Sequence, residues 1–122
     1  MSGPRMILVA GPYRSGTDSD PARIQANVEA MTRTSLALWR RGHLPVMGEW
    51  FALPLIEAAE ADGVAGAAAD TAIFHPIAER LLARCDGCLR IGGSSDGADR
   101  MVRVARELGK DVYHDLDEVP DP

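Results

Sequence analysis

The sequence predicts one α/β domain built on a short parallel sheet, and three observations carry that expectation. The chain has 122 residues, long enough for one domain with a real core and too short for two. Its opening apolar run, Met6-Ile7-Leu8-Val9-Ala10, is unbroken rather than alternating, as expected for a strand covered on both faces. Strand-like runs then alternate with helix-like ones, which implies right-handed crossovers and parallel pairing.

The first strand ends at the turn-rich segment Gly11-Pro12-Tyr13-Arg14-Ser15-Gly16. Asp20 then reads as an N-cap, Pro21 as the first helical residue and Gly42 as the stop. Between them Ile24, Val28, Met31, Leu38 and Trp39 recur at helical spacing and form one apolar stripe. Leu44–Met47 reads as a short second strand, whose Pro45 suits only a sheet edge. Gly48-Glu49-Trp50 is expected to be a loop. From Phe51 to Arg84 the chain is alanine-rich and helical, with breaks expected near Gly63–Gly66 and at His75-Pro76. Cys88–Ile91 is the third strand and leads into Gly92-Gly93-Ser94-Ser95-Asp96-Gly97. The next helix carries Ala98, Met101, Val102, Ala105 and Leu108 on one face and stops at Gly109, before a fourth strand at Asp111–His114. The chain has no repeats or low-complexity linkers.

Composition narrows the function classes. The formal net charge is −5 and there is no lysine- or arginine-rich run, so nucleic acid is not an expected partner. No apolar run approaches the ~20 residues of a membrane span, and Met6–Ala10 is too short for a signal sequence, so a cytoplasmic protein is expected. Cys85 and Cys88 form a CxxC pair. They fall where a helix ends and a strand begins, away from a helix N-terminus that would lower a thiol pKa. Further ligands for zinc are only scattered histidines. Buried, reduced thiols are expected, with no metal and no cofactor.

In parallel sheets, ligands bind outside the carboxyl ends of the strands. The polar, glycine-rich segments of this chain follow strands one, two and three, whereas the return turns Arg41-Gly42-His43 and Leu108-Gly109-Lys110 are brief. One rim should therefore hold the ligand. On its first loop, Gly11 allows close approach, Tyr13 can pack on a sugar or base, and Arg14 and Ser15 can meet a phosphate. On the second, Glu49 offers a carboxylate and Trp50 either a stacking face or a side chain for the core. On the third, Gly93 and Gly97 expose amides while Ser94 and Ser95 offer hydroxyls, a combination that favours an anion. Ser95 or Asp96 can equally serve as a simple helix cap. Asp99, in the first turn of the last helix, is a candidate nucleophile or base, or else a capping partner. The third segment matches neither GxxxxGK[ST] nor GxGxxG, which argues against a nucleoside triphosphatase or a dinucleotide enzyme.

Taken together, Ile7-Leu8-Val9-Ala10-Gly11-Pro12-Tyr13-Arg14-Ser15-Gly16, the Arg41-Gly42-His43 turn, Cys85–Ile91 and Ser95-Asp96-Gly97-Ala98-Asp99 running to Leu108-Gly109-Lys110 resemble the nucleoside 2-deoxyribosyltransferase superfamily. That superfamily includes nucleotide N-hydrolases and small bacterial domains of unknown function. The resemblance implies a flavodoxin-like sheet of four to five strands with helices on both faces. It also implies a homodimer or higher homo-oligomer and a site for a nucleoside or nucleoside monophosphate. In the family a glutamate one turn into the last helix attacks the anomeric carbon, a first-loop tyrosine orients it, and a serine near the glycine turn holds the 5′-phosphate. Tyr13 and Ser95 match the last two positions. Aligned on Gly97, the glutamate position holds Met101, and Glu79 is the nearest counterpart of the family's accessory aspartate. Asp99 acting from half a turn earlier, Glu49 acting from the second loop, and binding without cleavage all stay open.

Overall fold

The computed structural model describes residues 3–63 and 70–122. Its sheet has four parallel strands in the order β2-β1-β3-β4, with β1 at Met6–Ala10, β2 at Leu44–Val46, β3 at Gly87–Arg90 and β4 at Asp111–Tyr113. The helices are α1 (Pro21–Arg40), α2 (Gly48–Ala61), α3 (His75–Ala83) and α4 (Asp96–Glu107). A π-helical turn at Asp70–Phe74 leads into α3, and a short 3-10 turn at Leu116–Glu118 follows β4. This is the expected α/β class, with a flavodoxin-like order.

Alternation along β1 sends side chains to two separate cores. Ile7 and Val9 pack with Met31 and Leu38 of α1 and with Leu89, Tyr113 and Val119. Leu8 and Ala10 pack with Ala78 and Leu82 of α3 and with Ala98, Met101 and Ala105 of α4. Each fully buried aliphatic side chain contributes ~1.5–3 kcal/mol, so β1 alone anchors both layers. Pro45 sits on the edge strand β2, where its missing N–H breaks no interior ladder.

The boundaries of α1 follow its sequence signals. Asp20 accepts a hydrogen bond from the Ala22 N–H at 3.0 Å, Pro21 opens the helix, and Gly42 turns the chain at φ +95°. A Cβ at Gly42 would also lie 2.9 Å from Pro122 Cγ, so the C-terminal segment passes close by. Buried His43 locks that segment: its Nδ1 accepts from the Arg5 N–H at 3.0 Å, leaving hydrogen on Nε2 to donate to the Pro120 carbonyl at 2.7 Å.

Four expectations are corrected. Trp39 is 62% exposed, because the buried register of α1 runs through Met31, Ser35 and Leu38 and Trp39 lies one step further round. Gly48-Glu49-Trp50 is not a loop but the first turn of α2: Met47 is extended at φ −129°, and helical geometry starts at once. Leu108 is exposed because it caps α4, where the chain leaves the helix at Gly109. The third strand spans Gly87–Arg90, one residue earlier than expected. Of the expected break at Gly63–Gly66, Gly63 follows α2 at φ +94°, and the remainder lies outside the described residues. The expected break at His75-Pro76 falls where the π-helical turn ends at Phe74 and α3 begins.

Candidate functional site

The chain segments leaving β1, β2 and β3 meet around a cavity of about 170 Å³ at the carboxyl edge of the sheet. That is an order of magnitude beyond the ~10–15 Å³ a single water needs. Its floor is apolar, from Leu8, Ala10 and Met101, and its polar groups come from Tyr13, Arg14, Ser15, Glu49, His75 and Ser95.

The first loop is held by groups that local sequence patterns do not reveal. Asn27 of α1 donates from Nδ2 to the Tyr13 carbonyl at 2.9 Å and to the Ser15 carbonyl at 3.5 Å. Buried Thr17 donates from Oγ1 to the Arg14 carbonyl at 2.6 Å. Asp18 and Ser19 adopt positive φ, at 50° and 59°, to finish the turn. Gly11 lines the cavity, but its small size serves the sheet, since a Cβ there would meet Ile91 Cγ1 at 3.0 Å. The Tyr13 ring stacks on Phe74, with centroids 6.0 Å apart and planes 9° from parallel. The Arg14 Cζ lies 5.5 Å from the Tyr13 centroid, within cation–π range. Phe74 in turn meets the His75 ring at 89°, with centroids 5.7 Å apart.

Glu49 is the group with the most distinctive chemistry. It sits in the first turn of α2, lines the cavity and is only 4% exposed. Among the described residues it has no ion-pair partner. Burial drives its pKa up to about 7, against the smaller opposing effect of its own backbone N–H. Its position is set by tight helix packing: a Cβ at neighbouring Gly48 would lie 3.3 Å from Ala78 Cβ. Trp50, by contrast, points outward at 45% exposure and lies outside the lining, because Ala52 and Ile56 define the inward face of α2.

On the third loop, the structure divides the expected residues. Ser95 is buried, caps α4 by accepting from the Ala98 N–H at 3.1 Å, and lines the cavity. Gly97 lines it too, facing His75. Gly93 and Ser94 are exposed and lie outside the lining. The glycine turn is curled instead around Arg90, a residue the sequence reading missed. Arg90 donates from Nη1 to the Ile91 carbonyl and from Nη2 to the Gly93 carbonyl at 2.8 Å. Gly92 takes φ +79°, and a Cβ there would strike Pro12 Cδ at 2.7 Å, so the first and third loops interlock at that point.

Asp99 lies outside the cavity lining. Its Oδ1 is 3.2 Å from Arg90 Nη2, and its side chain is 59% exposed. Glu79 is likewise outside, paired with Arg100 at 3.0 Å. Met101 is buried in the cavity wall. His75 also lines the cavity, and its Nδ1 is buried without a hydrogen-bond partner among the described residues. The sequence marked His75-Pro76 only as a helix break; a polar ring fixed beside Pro at a helix start near the rim was the one available signal.

Cys85 and Cys88 are both buried and free. Burial is the main cause that pushes their thiols to about 11 and about 12. Among the described residues no three of His, Cys, Asp and Glu come together to hold a metal ion, and no helix is long and apolar enough to cross a membrane. No protein-family model matches the chain, and no curated protein matches it either.

Proposed function

We propose that the chain binds a nucleoside or nucleoside monophosphate in this cavity and cleaves its N-glycosidic bond, with Glu49 as the carboxylate. The single observation that supports this most is a buried carboxyl group with no ion-pair partner among the described residues, its pKa raised to about 7, where the segments leaving β1, β2 and β3 meet. Desolvation makes the ionised form basic and nucleophilic. In the reaction the carboxylate oxygen attacks the anomeric carbon, the C–N bond breaks, and its electron pair leaves with the base. Water or a second base then opens the sugar ester. Tyr13, held flat against Phe74, supplies a face for the ligand, and Ser95 and Arg14 supply polar contacts. Incubation with a panel of nucleoside 5′-monophosphates tests this by chromatography: free base should appear with the parent protein and not with Glu49→Gln.

A second reading, a nucleotide- or metabolite-binding module without turnover, is favoured by one specific observation. The cavity wall carries Met101 at the position that the family resemblance reserves for a glutamate, while Asp99 is engaged with Arg90. It expects saturable binding heat and no base release from any nucleotide. Assembly into homo-oligomers belongs to the same resemblance and is tested by light scattering.

A further inference from the structure

Helix α4 serves two depressions. Gly97, Ala98 and Met101 face the cavity, whereas Asp99, Val102, Arg103 and Arg106 face a separate groove of about 510 Å³. That second stripe has the i, i+3, i+4, i+7 spacing of one helix face. The opposite wall of the groove is Arg90, Ile91 and Gly92 after β3, together with His114 after β4. No residue lines both depressions.

The charges in the groove do not cancel. Asp99 precedes Arg103 by four positions, the favourable orientation for a helical ion pair. It pairs instead with Arg90, whose side chain is 11% exposed and is fixed on the carbonyls of Ile91 and Gly93. Arg103 and Arg106 are exposed and form no ion pair or side-chain hydrogen bond among the described residues. Arginines three apart on a helix have Cβ atoms about 5–6 Å from one another and repel. An anion with several acceptor groups would relieve that repulsion and meet two guanidinium forks, with the His114 ring as a third polar group. In a chain of net charge −5 this is a local excess of positive charge, which suits a small anion better than a nucleic-acid strand.

We propose that this groove binds a small polyanion bearing a diphosphate, independently of the function assigned to the Glu49 cavity. The probe is inorganic pyrophosphate, titrated calorimetrically into the parent protein, Arg103→Ala/Arg106→Ala, Arg103→Lys/Arg106→Lys and Glu49→Gln. Saturable binding is expected in the parent and in Glu49→Gln. A loss of roughly a hundredfold is expected in the double alanine variant, since each of the two lost charge-assisted contacts weakens binding by about tenfold. The double lysine variant should be intermediate, keeping charge but not the forks. Equal melting temperatures without pyrophosphate establish that the variants are folded. Binding that survives the double alanine change, or that is lost in Glu49→Gln, would overturn the assignment, as would no binding to the parent.

Discussion

Asp99 and Glu49, the two carboxylates read from the sequence as candidates, line different depressions: Asp99 is held 3.2 Å from Arg90 in the groove, and Glu49 lines the cavity with no ion-pair partner among the described residues. Asp99→Asn should therefore leave base release within roughly threefold of the parent. Because the pair is solvent-exposed on the Asp99 side, stability should change by less than about 1 kcal/mol. Kinetics and thermal melting of this one variant check both.

Glu49 should make the protein less stable as pH rises. Its folded pKa of about 7 lies above the ordinary value of 4.5, so the folded state holds an extra proton between those values. The associated stability is fully present below pH 4.5 and is lost as pH climbs through about 7. The shift corresponds to about 3 kcal/mol. Glu49→Gln removes the titration, so its melting temperature should exceed that of the parent at about pH 8 and converge with it towards pH 5. A melting series across that range reads the difference directly.

Gly92 joins the first and third loops, and Gly92→Ala should uncouple them. The left-handed backbone costs ~1–2 kcal/mol for a residue with a Cβ, and the clash with Pro12 adds ~1–3 kcal/mol. Chemical denaturation should show a loss of about 2–5 kcal/mol. Ligand affinity should fall as well, because Tyr13 and Ser95 lie on the two segments that this contact holds together.

The thiols should be inert in the native state. Cys85 and Cys88 are buried, and their pKa values are pushed to about 11 and about 12. A thiol reagent should therefore label neither at neutral pH until denaturant is added, whereupon both react. Stoichiometric labelling of the native protein would contradict their placement in the core.

Much of this architecture is local and so legible in the sequence. The continuous apolar run of β1, the Asp20–Pro21 start and Gly42 stop of α1, and the edge position of Pro45 all follow from short-range rules. The convergence of loops follows from parallel topology, which placed Tyr13, Arg14, Ser15, Glu49, Ser95 and Gly97 together. What escaped was long-range. Arg90 reaches back over its own turn, Asn27 ties α1 to the first loop, and His75 arrives from α3; no spacing announces such contacts. Trp39 misled because helical spacing put it on the apolar stripe, and Trp50 because its segment was read as a loop; the phase of α1 and α2 turns both outward. Asp99 sits at a fitting distance along α4, but the adjacent stripe of that helix faces the cavity.

The central claim is that the Glu49 carboxylate carries the chemistry of this cavity. The most direct test is the rate of base release from the best nucleoside monophosphate, measured from about pH 5 to about pH 8 for the parent, Glu49→Gln and Asp99→Asn. The parent and Asp99→Asn should both rise through a midpoint near 7 as Glu49 ionises, with Glu49→Gln silent throughout. Activity that persists in Glu49→Gln and disappears in Asp99→Asn would contradict the account.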